Sequence, residues 1–127
     1  MPESPYDAIG GDSAVRKLVD AFYDRMASDA AFSGIRSLHP ANLEGSRDKL
    51  YWFLCGWMGG PNHYIERYGH PRLRARHLPF AIGIAERDQW LACMQAAMDQ
   101  CRVPPDLRLQ LEQSFNATAD WMRNQPQ

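Results

Sequence analysis

The chain has 127 residues, of which 45% are hydrophobic, 11% aromatic and 23% charged, with a formal net charge of −1. That length is ordinary for a single soluble domain with a substantial core, so residues 1–127 are expected to fold as one unit. The near-neutral balance excludes nucleic-acid or anionic-membrane partners held by bulk charge, and no apolar run is long enough to span a bilayer.

In chain order the predicted elements are helical. After Gly10–Gly11 come Asp12 and Ser13, both good N-caps, and then Val15, Leu18, Val19, Phe22, Tyr23 and Met26 recur at helical spacing. From Ser33 to Asn42 the signals are mixed, with Gly34, Pro40 and Asn42 marking a loop or short turns. A second pattern carries Leu43, Leu50, Phe53, Leu54 and Trp57 and stops at Gly59–Gly60–Pro61. Asn62 to Tyr68 reads as polar and irregular, and His70 to His77 as a short helix at best. A third long pattern begins near Glu86 with Trp90, Met94, Ala97 and Cys101 on one face. Pro104–Pro105–Asp106 opens the last helix, with Leu107, Leu111, Phe115 and Met122 in phase, and Asn124–Gln127 reads as a frayed tail. No alternating β pattern, repeat or low-complexity tract interrupts this all-α reading.

Two further features bound the setting. Cys55, Cys93 and Cys101 are an odd count without a C-x-x-C, which argues against a disulfide framework or a zinc motif; each reads as a small buried hydrophobe. The opening Met1–Pro–Glu–Ser–Pro5 lacks the basic and apolar regions of a signal peptide, so a reducing cytoplasm is the expected location.

The chemistry concentrates in Gly69–His–Pro–Arg–Leu–Arg–Ala–Arg–His–Leu–Pro–Phe80. One histidine, His77, ends a short, strongly basic segment that Pro79 closes, and Trp90 follows thirteen residues later. A neutral imidazole there is able to ligate a haem iron from one side, nearby arginines to neutralise propionates, and an indole N–H to donate to a ligand on the other side. On residue type alone, a lone histidine such as His77 is more often a structural or surface residue, and Trp90 reads better as a core aromatic. His63 and His70 lie in polar sequence and read as surface residues.

The sequence resembles the group II truncated haemoglobins over nearly its whole length. The resemblance is carried by Tyr6–Asp–Ala–Ile–Gly–Gly11, Phe22–Tyr23, Gly59–Gly–Pro61, the Gly69–Phe80 run and Glu86–Arg–Asp–Gln–Trp–Leu–Ala–Cys–Met94. It implies a two-over-two helical sandwich around one haem b. In the matching positions His77 corresponds to the proximal iron ligand, Trp90 to the distal tryptophan and Tyr23 to the distal tyrosine. His39 corresponds to the loop residue that reaches the distal pocket, with a solvent-exposed loop histidine as the alternative. Ser46 falls at the family's small gate position. Leu50 and Phe53 would wall the pocket, although Leu50 reads as plain core equally well. Leu73, one turn before His77, would pack beneath the porphyrin, and Lys49, Tyr64, Arg72 and Arg76 are the candidates for its propionates.

The resemblance implies reversible binding of dioxygen at a five-coordinate iron, with nitric oxide, carbon monoxide and peroxide as other small ligands. Several distal donors imply slow release, which suits scavenging or redox chemistry. Nitric oxide dioxygenation or peroxidase-like turnover would require an external reductase, because the chain has no flavin or nicotinamide domain. The competing reading is a cofactor-free helical sensory or interaction module in which Tyr23, His77 and Trp90 are core or surface residues. A Soret band separates the two.

Overall fold

The computed structural model describes residues 3–126. Met1, Pro2 and the last residue of the expected frayed tail, Gln127, lie outside the described residues. Eight α-helices follow in order among these residues: α1 (Pro5–Ile9), α2 (Asp12–Ser28), α3 (Ser33–Arg36), α4 (Glu44–Trp57), α5 (His63–Tyr68), α6 (Leu73–His77), α7 (Ile84–Gln100) and α8 (Pro105–Trp121). A 3₁₀ turn at Ala30–Phe32 leads into α3.

Three of these were not expected: α1, α5 and the single-turn α3, which lies in the stretch read as a loop or short turns. In α1, Ser4 caps the helix by accepting the Asp7 N–H, Pro5 starts it, and Gly10 ends it at φ +119, where a side chain would be strained. α5 replaces the irregular segment expected over Asn62–Tyr68. Its one buried residue, Tyr64, packs edge-on against Phe53 of α4, their ring centroids 6.3 Å apart. Tertiary packing on α4 therefore organises a segment whose own sequence is too polar and short to announce a helix.

At the start of α2 the expected caps are not used. Gly11 occupies the N-cap position and Asp12 is the first helical residue. The Asp12 carboxylate instead accepts the hydroxyls of Tyr6 and Tyr51. α2 is the central element: Val15, Leu18, Val19, Ala21, Phe22, Tyr23 and Met26 are all buried. That set is wider than one helical stripe because α2 packs on α4 along one side and on α7 along another. α7 in turn packs on α8, so the pair α2–α4 lies over the pair α7–α8, the two-over-two arrangement expected from the sequence. α7 likewise buries Cys93 and Met98 beyond the expected face, and Cys101 becomes its C-cap. In α8 the stripe Leu107, Leu111, Phe115 and Ala119 repeats every four residues, and all four are buried. No helix among the described residues is long and apolar enough to cross a membrane.

The turn after α4 is set by a close approach. Tyr6 donates its backbone N–H to the Met58 carbonyl at 2.9 Å, which lays its ring over Gly60. A Cβ at Gly60 would stand 2.5 Å from ring atoms Cγ and Cδ2 of Tyr6, and Cγ is not the free end of a flexible chain. Gly60→Ala is therefore expected to destabilise the fold by about 1–3 kcal/mol, the usual cost of overpacking. Urea denaturation measures it; a midpoint equal to the parent's would overturn the close-approach account.

Candidate functional site

His77 is the last residue of α6, half-buried, and its Nδ1 lies 2.6 Å from the Leu73 carbonyl. A carbonyl only accepts, so Nδ1 carries a proton, and in the neutral ring that leaves the lone pair on Nε2. His39, in the turn after α3, is held the same way: its Nδ1 lies 2.8 Å from the Ile35 carbonyl. Burial pushes the His39 imidazole below its usual pKa, with the charges of Arg36 and His77 acting in the same direction and the Ile35 carbonyl opposing. Neutral His39 therefore presents Nε2 as an acceptor. That departs from the donor role implied by a ring of distal donors.

Tyr23 is buried on α2, its ring 5.7 Å from the His39 ring and 5.0 Å from Phe22. Desolvation pushes its phenol well above the usual value, against a smaller opposing effect of the Arg47 charge. Trp90, half-buried on α7, stands 5.3 Å from Phe22 and 5.5 Å from Phe115. Phe22 thus joins Tyr23 and Trp90, which approach from different helices. Neither the Tyr23 hydroxyl nor the Trp90 indole N–H has a hydrogen-bond partner among the described residues. Neither is sealed in, unlike Arg123 Nε, the buried side-chain nitrogen left without a partner there.

On α4, Ser46, Leu50 and Phe53 are half-buried, and Leu50 and Phe53 pack against the core. The basic candidates divide. Lys49 places its ammonium 5.8 Å over the Tyr68 ring, and Arg76 its guanidinium 5.8 Å over the Tyr64 ring, so both gather along α5. Arg72 is exposed, takes the αL conformation at φ 46 as the N-cap of α6, and makes no side-chain hydrogen bond or ion pair among the described residues. Leu73 is half-buried and supplies the carbonyl for His77.

Several supporting residues escaped the sequence reading. Arg36 donates to the carbonyls of Pro40 and Ala41 at 3.0 and 2.9 Å, gathering the turn that carries His39. Gln89, next to Trp90, accepts the Ile35 N–H at 3.1 Å. Arg47 pairs with Asp20 and Asp24 at 3.1 and 2.6 Å, holding α4 to α2 beside Tyr23. Trp57 stacks on Phe115 at 4.8 Å. Asn124 departs furthest from expectation, because it is not part of a frayed tail. Its side chain accepts the Ile82 N–H at 2.9 Å and donates to the carbonyls of Phe80 at 2.7 Å and His77 at 3.3 Å. Only the tryptophan had a helical signal; Arg36, Gln89 and Asn124 act through main-chain contacts and Arg47 through ion pairs between helices, which spacing does not report.

The remaining histidines and cysteines behave differently from one another. His70 is exposed. His63, expected at the surface, is instead half-buried, stacked on Tyr51 with centroids 6.2 Å apart. Burial pushes the Cys55 and Cys93 thiols up to about 12, so neither is a thiolate at neutral pH.

Known proteins are similar to this chain in sequence and fold. A family model described as bacterial-like globin matches residues 4–124. The group 2 truncated hemoglobin YjbI of Bacillus subtilis is 41% identical over 96% of this chain and 89% of that protein. The group II 2-on-2 hemoglobin of Agrobacterium tumefaciens superposes with a TM-score of 0.94 at 43% identity, covering 98% of this chain and 96% of that one. A truncated oxygen-avid haemoglobin from Bacillus subtilis superposes with a TM-score of 0.88 at 40% identity, covering 96% of this chain and 100% of that one. The chain belongs to the bacterial-like globins, and within them to the group II truncated haemoglobins with their two-on-two helical fold.

Proposed function

We propose that the protein holds haem b on His77 and binds dioxygen and similar diatomic ligands reversibly on the opposite side. The observation that carries the reading is a pairing. His77 has a free Nε2 lone pair, and the Tyr23 hydroxyl and Trp90 N–H are two donors without protein acceptors. Both donors lie open to an incoming molecule rather than sealed in, so a polar ligand between them would accept both hydrogen bonds. The globin family implies a haem cofactor, and the residues fit it: one neutral imidazole, apolar side chains at Leu50, Phe53 and Leu73, and cations at Lys49 and Arg76 along one edge.

When bound, the haem iron supplies the open coordination position at which the ligand is taken. The chain's own residues do the rest. The Leu73 carbonyl fixes the His77 tautomer and ring orientation, which raises the basicity of Nε2. Tyr23 and Trp90 donate to the ligand, and each such bond contributes about 0.5–1.5 kcal/mol against its release. His39, as an acceptor, orients a hydroxyl or a protonated ligand rather than donating itself. Ser46 is small enough to leave a way in from α4. Arg76 and Tyr64 neutralise or hydrogen-bond a propionate, with Lys49 and Arg72 as further cations at that edge. Slow release suits scavenging or redox use of the ligand, and the Bacillus subtilis relative is described as oxygen-avid. Redox turnover, with nitric oxide or peroxide as a second substrate, draws its electrons from a separate reductase.

Three measurements test this reading. His77→Ala should lose haem or hold it weakly, and added imidazole should restore the Soret spectrum. An unchanged haem affinity and spectrum would remove His77 from the site. Trp90→Phe keeps a ring and deletes the N–H, so dioxygen should leave roughly tenfold faster, equivalent to about 1.4 kcal/mol; a rate equal to the parent's reduces Trp90 to packing. The third concerns pH. The folded state keeps His39 neutral below its usual 6.5, so in acid the unfolded chain binds more protons than the folded one. The contribution to stability is complete above 6.5 and is lost as pH falls from there through the lower folded value. His39→Gln should therefore flatten the loss of unfolding free energy between neutrality and about pH 5. Parallel profiles for parent and variant would contradict it.

A further inference from the structure

A second cluster of ligating side chains shares no residue with the proposed haem site. Asp12 begins α2, Cys55 lies in the last turn of α4, and His63 opens α5. Asp12 Oδ1 stands 3.5 Å from Cys55 Sγ and 3.7 Å from His63 Nε2, and the three ligand atoms all lie within 4.8 Å of one another. A tetrahedral zinc site with Zn–S near 2.3 Å and Zn–N or Zn–O near 2.0–2.1 Å has ligand–ligand edges of about 3.4–3.6 Å. Two edges of this triangle are therefore close to the required length before any ion enters. We propose that Asp12, Cys55 and His63 form a three-ligand site for a zinc-type divalent cation, with water in the fourth position.

The donor set selects the ion. One sulfur, one imidazole nitrogen and one carboxylate oxygen suit zinc and its neighbours, whereas calcium and magnesium want oxygen throughout. The supporting shell is also in place. Tyr51 donates its hydroxyl to Asp12 Oδ2, the oxygen not turned to the cluster, and its ring stacks on His63 at 6.2 Å. The Tyr6 hydroxyl reaches Asp12 Oδ1 at 3.1 Å. Such contacts orient first ligands. Access runs from the carboxylate side: the Asp12 and His63 side chains are 53% and 27% exposed, while Cys55 closes the inner wall. On binding, the Cys55 S–H proton leaves to buffer, His63 binds through its neutral Nε2, and the Cys55–Asp12 hydrogen bond gives way to two metal bonds. No zinc motif marks the sequence because the ligands come from three elements, and only the packing of α2, α4 and α5 joins them.

The test is zinc titration of the full haem-loaded chain by calorimetry, with X-ray absorption at the zinc edge. One equivalent should bind, and its shell should contain a single sulfur at about 2.3 Å among nitrogen and oxygen neighbours. His63→Ala and Cys55→Ala should each weaken binding at least tenfold, while Cys101→Ser leaves it unchanged. His63 is only partly buried, so that variant remains informative if the buried Cys55→Ala fails to fold. A shell without sulfur, binding indifferent to His63→Ala, or no binding at all would overturn the site.

Discussion

The two site histidines each give the Nδ1 proton to a main-chain carbonyl four residues earlier, His77 to Leu73 and His39 to Ile35. This single type of contact decides what each ring can do. It fixes the tautomer, leaves a lone pair on Nε2 and holds the ring in place. The Ile35 carbonyl already accepts the Leu38 N–H at 3.1 Å, so the His39 imidazole takes its second lone pair while becoming oriented. For His77 the result is an Nε2 left free of its own helix, as the proposed haem ligation requires. For His39 it is an acceptor, which splits the polar groups near Tyr23 into two donors and one acceptor. A diatomic ligand accepts hydrogen bonds, so under the proposed function its retention would rest on Tyr23 and Trp90, and His39 would act through whatever proton those donors or the ligand itself supply.

The core and the site are not separate layers. Phe22 has its ring 5.0 Å from Tyr23 and 5.3 Å from Trp90, and it is fully buried at the contact of α2 with α7. Phe115 continues the chain of rings, stacking on Trp57 of α4 while meeting Trp90 edge-on. The rings that close the hydrophobic interior therefore also set the positions of the two donors. Buried aromatic contacts of this kind have narrow geometric preferences, so the donors inherit the precision of the core.

This division explains what was legible in the sequence. The long helices announced themselves through periodic burial: α2, α4, α7 and α8 lie where Val15–Met26, Leu43–Trp57, Trp90–Ala97 and Leu107–Phe115 recur. The Gly69–Phe80 and Glu86–Met94 motifs brought His77 and Trp90 forward together. Short elements were illegible because their order is borrowed. α5 exists through Tyr64 on Phe53, and α1 through a serine cap and a proline rather than a stripe. Asp12 had the right type for a helix cap, but two phenols compete for its carboxylate and win. The roles of Gln89 and Asn124 rest on bonds to main-chain groups distant in sequence, and that of Arg36 on the carbonyls of the turn just after it, none of which residue type encodes.

Asn124 shows what that borrowing does for function. α6 has five residues, too few to be stable alone, and its N-cap Arg72 sits in an unfavourable left-handed conformation. The helix that carries His77 must therefore be held from outside. Asn124 binds the His77 and Phe80 carbonyls just beyond it, and its own N–H donates to the Ile82 carbonyl at 2.9 Å. Arg74 reaches from within α6 to the Trp121 carbonyl at 2.9 Å and lies over the Trp121 ring. The segment after α8 is thus the other half of the His77 mount. Loosening it would leave the four long helices packed while freeing α6, so the position of His77 depends on the last turn of the chain more than on the core beneath it.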